Sequence, residues 1–134
     1  MNDLIFNKTG VDIDFSISGQ LSTINDFVEN DNMQTERKNN LTKVIKLKTK
    51  TLLDVLVENK APSMIDFLSI DTEGSEFEIL SAFDFEKYQV NIICIEHNNN
   101  ILQKQKLQTL LINNGYSEIV FEDNSIDSFF MLTI

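Results

Sequence analysis

Hydrophobic and polar positions change rhythm several times along the chain. Val11, Ile13, Phe15 and Ile17 alternate with Asp12, Asp14, Ser16 and Ser18, the period of a strand with one buried face. Gly19 ends that run. From Ser22 to Asn40 the sequence is polar, rich in Asn and Asp, and without sustained periodicity. Residues 22–42 are therefore expected to form a long loop, with at most a short helical turn near Ile24 to Val28. Val44, Ile45 and Leu47 predict a short strand after it.

The pattern then becomes regular. Thr51 stands where it can cap a helix through Leu52, Leu53, Val55, Leu56 and Val57. Lys60 to Ser63, with the only proline, breaks it. Ile65, Phe67, Leu68 and Ile70 predict a short apolar strand, Asp71 to Gly74 a turn, and Ser75 to Ala82 a helix with Phe77, Ile79 and Leu80 inward. Val90 to Ile95 is the most apolar strand of the chain. Leu107, Leu110 and Leu111 have helical spacing within a helix from about Ile101 to Asn114, which Gly115 stops. Tyr116–Phe121 and Phe129–Ile134 read as two last strands around a turn at Glu122 to Ser125. Helices alternating with apolar strands predict an α/β sandwich with a mostly parallel sheet covered on both faces. The short final connection makes the last strand antiparallel.

Composition narrows the partners. A single domain fits 134 residues. The net charge of −10 argues against nonspecific nucleic-acid binding and against an anionic membrane surface. No apolar run approaches the roughly 18 residues of a membrane span. Cys94, the only cysteine, offers no internal disulfide and is expected to be a small core residue. The expected setting is soluble and cytoplasmic.

Candidate chemistry lies at two strand ends, where open α/β sheets collect ligands. Asp71-Thr72-Glu73-Gly74-Ser75-Glu76 follows one strand and Glu96-His97-Asn98 the other. If the strands are neighbours, their carboxylates and the only histidine share one rim. They could then bind a divalent cation or take a proton from a substrate hydroxyl. Each residue also has a plainer reading. Glu76 fits a helix cap, Gly74 a tight turn, and His97 an ordinary loop histidine.

Two stretches carry a family resemblance. Thr49-Lys50-Thr51-Leu52-Leu53-Asp54 and Ile65-Asp66-Phe67-Leu68-Ser69-Ile70-Asp71-Thr72-Glu73-Gly74-Ser75-Glu76 resemble the FkbM family of S-adenosylmethionine-dependent methyltransferases. Ile92-Ile93-Cys94-Ile95-Glu96 and Gly115-Tyr116 fit its later elements, and Ser69 departs from it where lysine is common. The resemblance implies a Rossmann-like methyltransferase sandwich. It also implies methyl transfer from S-adenosylmethionine to an oxygen of a small hydroxylated acceptor such as a sugar or polyketide. Carried over by position, Asp71 and Glu73 would be catalytic, with His97 as a candidate base. Glu96 and Asn98 would meet the acceptor.

Glycine occurs only at positions 10, 19, 74 and 115. The glycine-rich turn that a nucleoside cofactor usually needs is therefore not found, and no cofactor-binding residue is assigned. The chain reads as a single incomplete methyltransferase-like domain over 1–134. Two alternatives to an active methyltransferase follow. One is a non-catalytic remnant or a subunit completed by a missing segment or by self-association. The other is a divalent-metal enzyme using Asp71, Glu73 and Glu96.

Overall fold

The computed structural model describes residues 3–28, 32–121 and 126–133. Within them lie strands β1 (Leu4–Ile5), β2 (Asp12–Ile17) and β3 (Thr23–Ile24), helix α1 (Gln34–Asn39), strand β4 (Lys43–Lys50) and helix α2 (Leu52–Glu58). Strand β5 (Met64–Ile70), helix α3 (Glu76–Ser81), strand β6 (Gln89–Glu96), helix α4 (Ile101–Asn113) and strands β7 (Tyr116–Ile119) and β8 (Asp127–Leu132) follow. Most predicted elements are present. The turn expected at Glu122 to Ser125 lies outside the described residues.

The strands form two mixed sheets, ordered β1-β4-β2-β3 and β5-β6-β8-β7. This corrects the expectation of one mostly parallel sheet. Only β1–β4 and β5–β6 pair in parallel, while β2–β3, β2–β4, β6–β8 and β7–β8 are antiparallel. The antiparallel arrangement of the last strands is as expected.

The cause is visible in the side chains. Asp12 and Asp14 of β2 stand opposite Lys48 and Lys46 of β4, so this pair turns a charged face to water. That pattern belongs to antiparallel strands, whereas buried parallel strands are apolar on both faces. Helix α2 joins β4 to β5 across the two sheets and closes no parallel pair. The single crossover that does so is β5-α3-β6.

The segment expected to be a loop over 22–42 contains β3, a 3₁₀ turn at Asn25–Phe27 and α1. The short turn near Ile24 to Val28 was legible, but α1 was not. Helix α1 carries only one buried side chain, Arg37, so no apolar stripe marks it.

The core lies in the second sheet. Ile93 and Ile95 of β6 and Phe130 of β8 pack with Leu80 of α3 and with Leu107 and Leu111 of α4. Each such fully buried aliphatic side chain contributes roughly 1.5–3 kcal/mol. Two caps set the ends of this layer. The Thr51 hydroxyl accepts from the Asp54 N–H at 3.1 Å, and Asn100 Oδ1 accepts from the Gln103 N–H at 3.1 Å, each satisfying an orphan helix donor. On the opposite face the sheet is open: Phe67 of β5 and Met131 of β8 are 53% and 47% exposed. Strand β5 lies at the edge of its sheet.

Candidate functional site

Parallel pairing of β5 with β6 sets Ile70 beside Ile95, so the residues that follow, Asp71 and Glu96, emerge together. Their side chains hydrogen-bond to each other, and the Glu96 carboxyl is pushed up to about 7. Burial is the first cause; the charge and hydrogen bond of Asp71 come next, then the charges of Glu73 and Asp127. Burial and the neighbouring acids both favour the protonated form of Glu96, which brings this one carboxyl near the range a general base needs at neutral pH.

The turn behind this pair is tightly built. Glu73 has φ +57 and Gly74 φ +121, left-handed backbone that costs energy at a non-glycine residue. Glu76 is 2% exposed. Its Oε1 accepts from the Thr72 N–H (2.8 Å), the Thr72 hydroxyl (2.9 Å) and the Gly74 N–H (3.1 Å). Gln103 Nε2 donates to Glu76 Oε2 at 2.6 Å and to the Gly74 carbonyl at 3.0 Å, tying the turn to α4. Gly74 takes the turn role expected of it, whereas the cap expected of Glu76 is not made: it is the first residue of α3, and its carboxylate holds the turn before the helix.

Glu73 is held from the other sheet. Arg37 Nη2 lies 2.9 Å from Glu73 Oε2, while its Nε and Nη1 donate to the carbonyls of Leu21 (2.9 Å) and Val28 (3.0 Å). The Thr23 hydroxyl donates to the Glu73 carbonyl at 2.9 Å. Asn98 Nδ2 reaches Glu73 Oε2 at 3.4 Å, which bridges the two strand-end turns. Glu73 is thus a charge-paired anchor, and Asn98 is one of its partners. Arg37 escaped the sequence reading because its helix has no hydrophobic period. One signal was available: it is the only arginine in the chain, and arginine suits buried carboxylate pairing.

His97 borders a small cleft with Glu96 but is held by other groups. It is 6% exposed, its N–H donates to the Ile126 carbonyl at 2.9 Å, and its Nδ1 accepts from the Asn99 N–H at 3.2 Å. Burial and the charge of Lys104 hold its pKa below the ordinary value, against the opposing pull of Asp127 and Glu118. None of these charges is Asp71, Glu73 or Glu96, yet His97 and Glu96 border one small cleft together with Gly74, Asn98 and Gln103.

Among the described residues, no group of three His, Cys, Asp or Glu side chains is placed to hold a metal ion. The oxygen cage considered for Asp71, Glu73 and Glu96 is not formed, because Arg37 takes Glu73. Among the glycines, Gly74 packs against Phe27, where an added Cβ would come within 3.1 Å, whereas at Gly10, Gly19 and Gly115 an added Cβ meets no heavy atom within 4 Å. No Gly-x-Gly exists in the sequence. No described helix is long and apolar enough to cross a membrane.

The class is a mixed α/β domain in which Asp71 and Glu96 meet at the ends of adjacent parallel strands. The family model of the methyltransferase FkbM domain matches residues 9–130. The chain belongs to that family. No curated protein and no solved structure matches it.

Proposed function

We propose that this chain takes part in methyl transfer from S-adenosylmethionine to a hydroxyl oxygen of a small acceptor, with Asp71 and Glu96 receiving the hydroxyl proton. Family membership supports methyl transfer. The observation that carries the site assignment is the Asp71–Glu96 hydrogen bond, with Glu96 near 7. Arg37 and Asn98 hold Glu73, which fixes the turn that presents Asp71. The contacts of the methyl donor are not assigned to residues of this chain, and the role of the pair ends at orienting the hydroxyl and taking its proton.

Glu96 works as a base only when ionised, so kcat/KM should rise with pH through about 7 and level off above it. Methyl transfer to a panel of hydroxylated acceptors, followed across that range, tests this. Glu96→Gln should lower the rate by about 100-fold or more and abolish the rise. Asp71→Asn should move the midpoint downward, because it removes the partner charge that raises Glu96. A flat profile in the parent protein, or undiminished rates in both variants, would sink the assignment.

A second reading has its own observation. Phe67, Met64 and Met131 stay 53%, 46% and 47% exposed on the second sheet. A donor site completed by another polypeptide surface against this face fits that exposure. Calorimetric titration with S-adenosylmethionine separates the readings: saturable binding by the chain alone favours the first. No binding by a folded sample, together with self-association in light scattering, favours the second.

A further inference from the structure

Asp71 and Glu96 stand at the ends of neighbouring parallel strands, and each belongs to a short segment that leads into a helix. The Asp71 arm runs through the turn over 71–75 into α3, and the Glu96 arm through 97–100 into α4. Strand pairing fixes where the arms start, at Ile70 beside Ile95. Beyond that pair, other bonds must set how close the two carboxyls stay.

Each arm has its own hold. On the Asp71 arm, Glu76 Oε1 accepts from the Thr72 N–H, the Thr72 hydroxyl and the Gly74 N–H, and the Ser75 hydroxyl donates to the Thr72 hydroxyl at 3.0 Å. On the Glu96 arm, Asn98 and Asn99 take left-handed backbone, with φ +46 and +58, which asparagine tolerates better than most residues. The reversal lets the Asn100 N–H donate to the His97 carbonyl at 2.8 Å, and Asn100 Oδ1 then caps α4 at the Gln103 N–H.

Gln103 joins the two arms. Its backbone N–H is bound by the Glu96 arm, and its side-chain Nε2 is bound by the Asp71 arm, at Glu76 Oε2 and at the Gly74 carbonyl. A primary amide carries two N–H donors, which matches two oxygens that can only accept. The bond to the buried Glu76 carboxylate is charge-assisted and stronger than a neutral one. A closed circuit results, from Glu96 through Asn100, Gln103, Glu76 and Thr72 to Asp71 and back. Asn98 crosses the same gap to Glu73, but at 3.4 Å, longer than an ordinary N–H···O bond.

The charges acting on Glu96 come from Asp71 and Glu73 in the turn after β5 and from Asp127 of β8. Helix α4 brings Lys104, whose charge is felt at His97. Gln103 is neutral and borders the same small cleft as Glu96.

We propose that Gln103 is a positioning residue for the acid pair: by holding Glu76 and Gly74 to the first turn of α4, its side-chain amide keeps the Asp71 carboxyl against Glu96. Its weight in turnover rests on the methyl-transfer reading; the positioning itself does not.

Gln103→Met keeps the length and helix preference of the side chain and removes both donors. The carboxyl carbon resonances of the 134-residue protein, labelled at glutamate and assigned with Glu96→Gln, read the outcome. The Glu96 midpoint should fall from about 7 by about one pH unit or more as Asp71 moves away. Gln108→Met is the matched control, since Gln108 lies on the same helix and its Nε2 holds Glu118 at 2.8 Å. It should cost similar stability in urea and leave Glu96 unmoved. Asn100→Ala loosens the other arm, should give a smaller fall, and keeps the test open if Gln103→Met does not fold. An unmoved Glu96 in the folded variant, or an equal fall in Gln108→Met, would overturn the assignment. So would a rise, the sign expected if Gln103 acted on Glu96 only as a nearby donor. The expected fall, in a protein that methylates no hydroxylated acceptor, would retain the positioning role and remove the methyl-transfer reading. Methylation with Glu96 unmoved in Gln103→Met would do the reverse.

Discussion

The first sheet, β1-β4-β2-β3, meets water with paired charges on β2 and β4, whereas the second, β5-β6-β8-β7, is built around aliphatic side chains sealed by α3 and α4. Only the second holds a core that marks it as a folding centre. The first sheet nevertheless supplies the parts that shape the candidate site. Thr23 of β3, and Arg37 and Phe27 of its strand-to-strand connections, all reach the turn over 71–74. One region provides stability and the strand ends, and the other sets the conformation of the turn between them. Single substitutions can separate the two roles.

The largest effect is expected at Arg37, whose side chain is completely buried. Removing one member of a buried ion pair leaves the other charge desolvated, at a cost of roughly 3–5 kcal/mol. Arg37→Met should therefore lower urea-denaturation stability by about that much. The double variant Arg37→Met with Glu73→Gln should regain a large part of the loss, because no uncompensated charge remains. If Arg37→Met costs less than about 1 kcal/mol, the pair is solvated and the first sheet does not govern the turn. Full additivity in the double-mutant cycle would lead to the same conclusion.

An intermediate effect is expected at Gly74. Its φ of +121 disfavours any side chain, and a new Cβ would stand 3.1 Å from Phe27 Cβ. Gly74→Ala should cost about 1–3 kcal/mol. Combining it with Phe27→Ala divides the cost between its two causes. Whatever Phe27→Ala fails to relieve, beyond its own lost packing, belongs to the backbone angle. A Gly74→Ala protein as stable as the parent would mean that the turn relaxes freely and that the contact with the first sheet is not a constraint.

How far the sequence disclosed this arrangement follows the same division. Strands β5 and β6, helices α2, α3 and α4 and the two loaded strand ends were legible because apolar periodicity and a cap such as Thr51 write themselves locally. Glu76 was read as a helix cap, but it holds the turn before the helix instead. Sheet direction was not: strand–helix–strand alternation resembles a parallel sheet whether or not the helix closes a parallel pair, and α2 does not. The charged alternation of Asp12 and Asp14 with Ile13 and Phe15 was the available warning. Arg37 was missed because its partners are 16, 9 and 36 residues away in the chain, a separation that no local pattern records. His97 and Glu96 were grouped as neighbours, and both border one cleft, but their charged partners differ. Glu96 meets Asp71, and the imidazole meets Lys104, Glu118 and Asp127.

The smallest effect is expected on the water-facing side of the first sheet. Lys46 Nζ lies 3.7 Å from Asp14 Oδ1 with side chains 77% and 51% exposed, and Lys48 Nζ lies 3.4 Å from Asp12 Oδ1 at 73% and 60%. Such pairs gain little attraction through water and lose side-chain freedom in forming, so each is worth within about 1 kcal/mol. Lys46→Ala should change stability by no more than roughly 0.5 kcal/mol, with a difference that shrinks further at 1 M salt, where the screening length falls to about 3 Å. Urea denaturation of Lys46→Ala and Lys48→Ala at low and high salt makes the comparison directly against Arg37→Met. A loss of several kcal/mol at Lys46, insensitive to salt, would mean that this face is covered rather than solvated. The contrast between a solvated first sheet and a sealed second one would then fail.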